Sequence, residues 1–172
     1  KVIIFIDEPI LSAFGSSTYL GLAREDVIRL LNEVSDAIQK AGAVSGIHCC
    51  GNTDWSIIAS TKIDIINFDA YLFTRSIAIY PNEINDFLKR GGFLAWGIVP
   101  TSEAIRKESA DSLFNKMTDG MNQLITTNAF SKDLLIKQRL ITPSCGTGSM
   151  QEPDARAVFK ILKEMGKKFK GV

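Results

Sequence analysis

Five short apolar runs rich in β-branched residues, each followed by helical periodicity, constrain the fold of this chain more than any other feature. They cover residues 2–6, 43–47, 63–68, 93–99 and 140–142. Each is nearly continuous in apolar character, which suits strands buried on both faces, as in parallel sheets. Between them, Val27, Leu30, Leu31, Val34 and Ile38 follow a 3.6-residue period, with Glu25 and Asp26 in the first turn and Gly42 just past the end. A second stripe, Leu113, Met117, Met121, Leu124 and Ile125, is entered through Ser109. A third, Val158, Ile161, Leu162, Met165 and Phe169, follows Pro153 at its first turn. Shorter helices are expected over 54–60, 82–90 and 132–138. Strand and helix alternate throughout, the signature of an α/β protein with a parallel sheet. Residues 1–172 read as a single domain segment, without internal repeat or low-complexity linker.

Five βα units fit either an open doubly wound sheet or part of a (β/α)8 barrel. A whole barrel typically needs about 250 residues, and this chain has 172. Chemically able residues collect at the carboxyl ends of the strands: Asp7-Glu8, then His48 and Cys50, then Asp69, then Cys145. Both architectures place their sites at that edge. A barrel converges its strand ends on one point, whereas an open sheet spreads them along a line. Four sets of reactive groups therefore favour the barrel. The expectation is its C-terminal part, about five strands, cut from a longer chain, because the sequence opens at Lys1 without an initiator Met and already inside a strand.

Bulk composition excludes several classes. The chain is 45% hydrophobic and 23% charged with a net charge of +1, which is ordinary for a soluble globular domain. Its basic residues are dispersed apart from a helix face over 160–170, read as a solvated face near the negative end of a helix dipole. No nucleic-acid partner and no membrane association are expected. No apolar run could span a bilayer, and the start lacks a signal-peptide cleavage pattern. Three cysteines without framework spacing point to a reducing, cytoplasmic setting.

The sharpest chemical signal is His48-Cys49-Cys50 with a distant Cys145. On a strand, residues two apart share a face, so His48 and Cys50 project together while Cys49 points the other way. One imidazole and two thiolates form a common zinc set, with a fourth position left open in catalytic sites. The plainer alternative stays open at this level: cysteine packs readily as a small buried hydrophobe, and a lone histidine at a strand end can simply be a hydrogen-bonded rim residue. Nothing local forces Cys50 and Cys145, 95 residues apart, to meet.

These motifs carry a resemblance. Ile6-Asp7-Glu8-Pro9 after a strand, His48-x-Cys50 after the next, Asp69 some twenty residues on, and Pro143-Ser144-Cys145-Gly146 after the last strand resemble cobalamin-independent methionine synthase. More broadly, the chain is similar to the superfamily that joins that enzyme's barrel to corrinoid-dependent zinc methyltransferases and uroporphyrinogen decarboxylase. The resemblance runs in order through nearly the whole chain and is nearest to short methionine synthase-like members. It implies a (β/α)8 barrel of which the last five strands are present, with Zn2+ held by His48, Cys50 and Cys145. Asp69 matches a glutamate ligand and is one methylene shorter. Asp7 matches the acidic residue that holds the amino group of homocysteine, with Glu8 beside it as a second substrate contact. Nothing matches the folate-binding domain of the long synthases.

The implied chemistry is methyl transfer to a small thiol, a step of methionine biosynthesis. A free thiol with a pKa near ~8.5 is mostly protonated at neutral pH, and the thiolate is the nucleophile. Asp69 would serve as the ligand that the substrate displaces. The donor would be a methyl-corrinoid protein or methyl-tetrahydrofolate. Further partners would be a second copy of the chain or the missing N-terminal half, since open sheet edges need cover. Two other readings remain: a metal-free tetrapyrrole decarboxylase of the uroporphyrinogen type, and a corrinoid- or metal-binding accessory protein without turnover. Asp7-Glu8-Pro9 also reads simply as a strand end capping the next segment. Gly146-Thr147-Gly148-Ser149 reads as a left-handed turn or an anion cradle, Trp55 and Trp96 as packing residues, and Asp54 as a helix cap.

Overall fold

The computed structural model describes residues 1–15, 21–126 and 130–169. Lys170, the last lysine of the basic helix face, lies outside them. Five strands, β1 (Ile3–Asp7), β2 (Val44–Cys49), β3 (Ile65–Phe68), β4 (Phe93–Val99) and β5 (Arg139–Pro143), form one sheet. Every pairing is parallel and the spatial order is β1-β2-β3-β4-β5. The α/β class with a parallel sheet is as expected. A doubly wound sheet reverses its strand order at a switch point, and this one does not.

Seven helices join or follow the strands among the described residues: α1 (Arg24–Lys40), α2 (Trp55–Ala59), α3 (Ala70–Phe73), α4 (Pro81–Lys89), α5 (Ala110–Thr126), α6 (Lys132–Lys137) and α7 (Glu152–Phe169). Their ends follow the local chemistry. Past α1, Gly42 takes φ 81°, a left-handed value that glycine adopts without steric cost. Asp54 caps α2 by accepting from Ser56 N, and the Ser109 hydroxyl accepts from Ser112 N at the start of α5. No helix is long and apolar enough to cross a membrane among the described residues.

Alternation along the strands divides the sheet into two unlike faces. On one, Ile47, Cys49, Ile66, Phe68, Leu94, Trp96 and Ile98 join helix residues such as Leu31, Ile58, Phe87, Leu113 and Val158 in one buried core. Phe68 lies edge-on to both Trp55 and Trp96, with ring centroids 6.0 and 5.2 Å apart. Such aromatic pairs contribute about 0.5–1.5 kcal/mol each beyond their burial. Both tryptophans are packing residues, as expected.

The opposite face carries the polar residues Asp7, His48, Asn67 and Thr142 among apolar ones such as Phe5, Ile65 and Leu140. Register sets Asp7, His48, Asn67, Ala95 and Leu140 in one row across all five strands. Small residues make room there. A Cβ on Gly46 would meet the Phe5 ring at 2.5 Å. A Cβ on Gly97 would meet Phe68 O at 2.6 Å and Ser144 Cα at 2.9 Å, beside the register shift between Gly97 and Val99. The chain after β5 thus crosses close over β4.

Edge strand β1 is exposed along its length, with Val2, Ile3, Ile4 and Phe5 each at least 40% accessible. Apolar residues exposed on both faces of an edge strand invite a further neighbour.

Candidate metal centre

Strand β2 delivers His48 on the polar face, and the chain continues in the same alternation to Cys50. Cys49 faces the other way and is wholly buried in the helix-side core, with its thiol donating to Gly51 O at 3.7 Å. Burial pushes this thiol's pKa up, so it behaves as a core hydrophobe. The expected split between Cys49 and its neighbours therefore holds.

Cys145 arrives from the far edge of the sheet. Its predecessor Ser144 is fixed twice over: its N–H donates to Val99 O at 2.8 Å, and its hydroxyl accepts from Thr101 N at 3.1 Å. These bonds fasten the segment after β5 onto the end of β4. As a result, one imidazole nitrogen of His48 and the sulfurs of Cys50 and Cys145 all lie within 4.8 Å of one another. The three sequence-predicted sulfur and nitrogen ligands are brought together.

The donor set fits a metal ion on two observations. First, His48 Nε2 is buried and has no hydrogen-bond partner, a state that costs about 1–3 kcal/mol for a buried polar atom unless something fills it. Second, ligands of a tetrahedral zinc ion, at Zn–S ≈ 2.3 Å and Zn–N ≈ 2.0–2.1 Å, sit about 3.5–3.8 Å apart. A cluster already inside 4.8 Å needs a contraction of about 1.3 Å at most. Cys50 is half-buried and Cys145 exposed, so the centre opens toward solvent on one side. Burial pushes the Cys50 thiol's pKa up, and the nearby Cys145 and Asp7 act in the same direction. Without a cation, that thiol keeps its proton at neutral pH.

No carboxylate belongs to this cluster among the described residues, although Asp7 lies near it. Asp69 is buried, and its Oδ1 accepts from Leu72 N at 2.9 Å as the cap of α3. Burial raises its pKa, opposed by the Leu72 and Tyr71 amides and by the nearby Lys116. Asp7 is exposed and pairs in register with His48, which leaves its carboxylate at the rim. Glu8 accepts from Ile10 N at 3.2 Å and caps the 3-10 turn Pro9–Ala13. The left-handed turn expected at Gly146 and Gly148 is not formed: among the described residues the glycines at positive φ are Gly15, Gly42 and Gly91.

One residue of the site was not foreseen. Asn67, in the same row as His48, places its Oδ1 2.7 Å from His48 Nδ1. Its Nδ2 reaches Ala95 O and Thr142 Oγ1, each at 2.8 Å. The only available signal was an asparagine inside an otherwise apolar strand, two residues before Asp69.

No protein-family model and no curated protein matches the chain.

Proposed function

We propose that this chain is part of a zinc-dependent methyltransferase that methylates a small thiol, and more particularly one of the methionine synthase-like kind. The observation that carries the reading is the gathering of one histidine nitrogen and two cysteine sulfurs within 4.8 Å of one another at the carboxyl end of a parallel sheet. His48, Cys50 and Cys145 would hold the ion. Zinc, when bound, would supply a Lewis acid that keeps a substrate thiol deprotonated at neutral pH.

The chain's own residues would do the rest. Two thiolates and a neutral imidazole balance the ion's charge, which keeps electron density on an incoming sulfur. Asp7, exposed at the rim in the row of His48, would take the ammonium of an amino thiol such as homocysteine. Glu8 is committed to its turn and Asp69 to its helix, so neither is assigned a catalytic part. In the transfer, the bond between methyl and donor breaks, the bond between methyl and sulfur forms, and the thiol proton leaves to solvent. A methyl-corrinoid or a methyl-tetrahydrofolate would serve as donor.

The same reading covers the sheet. Sequential order without reversal, helices on one face and an apolar β1 edge support a (β/α)8 barrel segment. Further β/α units, or a second copy of the chain, would then pair with the exposed edge. A transfer assay with homocysteine and methylcobalamin tests the activity. S-methyl product that disappears in Cys145→Ser supports it. A protein that holds one zinc yet methylates no thiol from either donor contradicts it and leaves a metal-binding accessory role.

A further inference from the structure

We infer that Asn67 is a positioning residue that fixes the tautomer of His48 and thereby presents the Nε2 lone pair to the ion. This inference rests on the metal reading of the His48, Cys50 and Cys145 cluster.

The argument starts at Ala95. Its carbonyl oxygen can only accept, so the Asn67 atom 2.8 Å from it is the amide nitrogen. The other hydrogen of that nitrogen is used by Thr142 Oγ1, also at 2.8 Å. Asn67 Oδ1 is therefore turned toward His48, and an amide oxygen can only accept. The hydrogen bond of 2.7 Å to His48 Nδ1 then requires the proton on Nδ1. In a neutral imidazole with hydrogen on Nδ1, the unprotonated nitrogen is Nε2, the buried atom left without a partner.

Three strands build this lock. Asn67 stands on β3, Ala95 on β4 and Thr142 on β5, while His48 stands on β2. Asn67 and Thr142 meet across β4 because Ala95 and Gly97 carry almost no side chain on that face. Metal-bound histidines commonly donate their other nitrogen to such an acceptor, and losing it typically costs 10–100-fold in metal affinity. Here the acceptor is an amide with both its own hydrogens engaged, so rotation about its last bond would break two hydrogen bonds and turn its oxygen against Ala95 O.

His48 is the only histidine in the chain, so its ring nitrogens can be read without assignment. The test is the ¹⁵N spectrum of the imidazole in zinc-free protein above pH 8, beside cobalt binding to the same samples. Hydrogen on Nδ1 in the wild type is expected. Asn67→Leu should shift the ring toward the Nε2–H form and weaken cobalt binding 10–100-fold. Thr142→Val, which keeps the amide but removes one of its anchors, should do the same to a smaller degree. The inference is overturned by an Nε2–H wild type. It is equally overturned by a folded Asn67→Leu protein with unchanged tautomer and cobalt affinity within about twofold of wild type. Wild-type protein that carries hydrogen on Nδ1 but takes up no cobalt overturns the ligand role assigned to Nε2, and in that case the fault lies in the metal reading.

Discussion

The sulfurs of Cys50 and Cys145 lie within 4.8 Å of each other, although one follows β2 and the other follows β5. Adjacent strands are about 4.8 Å apart, so three intervals in a flat sheet amount to about 14 Å. Two cysteine side chains are too short to close that gap. The gap is closed by the segment after β5, which Ser144 fastens to Val99 and Thr101 so that it crosses over Gly97 of β4, and the side chains of Asn67 and Thr142 also meet across β4.

Gly97 is where that crossing is most sensitive. A Cβ there meets backbone of β3 at Phe68 O, 2.6 Å, and of the segment after β5 at Ser144 Cα, 2.9 Å, and backbone cannot rotate away. Gly97→Ala is expected to cost about 1–3 kcal/mol, the usual range for overpacking, and to push Cys145 outward. Urea unfolding with parallel zinc titration checks this: stability and zinc affinity should fall together.

The two adjacent cysteines should separate cleanly by assay. Cys50→Ala removes a ligand, so metal binding should drop by orders of magnitude with little change in apo stability. Cys49→Ala removes a small buried side chain and should cost about 1–2 kcal/mol, with the bound metal retained. Thermal melts of apo and zinc-loaded forms distinguish the two patterns.

Asp69 separates a capping role from a ligand role. Its folded pKa is raised, chiefly by burial, so the proton is held more tightly when folded. The matching stabilisation is present below the ordinary carboxylate value of about 3.9 and is lost as pH rises through the raised one. Asp69→Asn keeps an acceptor for Leu72 N and sheds the charge, so stability at pH 7 should hold or rise. Asp69→Ala should lose about 1 kcal/mol with the cap. Zinc affinity in Asp69→Asn should stay within threefold of wild type.

Metal loading should depend on pH in a defined direction. Burial raises the Cys50 thiol's pKa, and a bound ion must displace that proton. Apparent zinc affinity is therefore expected to climb with pH and to be still rising at pH 8, with protons released on binding. Calorimetry in two buffers of different ionisation enthalpy counts them.

Much of this was legible in the sequence. Continuous apolar runs located all five strands, and β2, β3 and β4 are buried as expected, whereas edge strand β1 is largely exposed and β5 half-buried, because neither has a neighbour on its outer side. Phe93–Val99 matched its run to the residue, and β2 extended past its run to take in His48 and Cys49. Spacing of two residues placed His48 and Cys50 on one face. Helix α3, four residues long, escaped notice because so short a segment has no amphipathic period. The approach of Cys145 was open in the sequence, since it depends on Ser144 binding Val99 and Thr101. Asn67 was missed for the same reason: its partners come from three other strands.

Zinc-edge X-ray absorption on the purified protein tests the central claim most directly. One zinc per chain with two sulfurs near ~2.3 Å and at least one nitrogen near ~2.0–2.1 Å is the expected result, with one sulfur lost in Cys145→Ser. A zinc shell without sulfur, or one that is unchanged when Cys145 is replaced, contradicts the account.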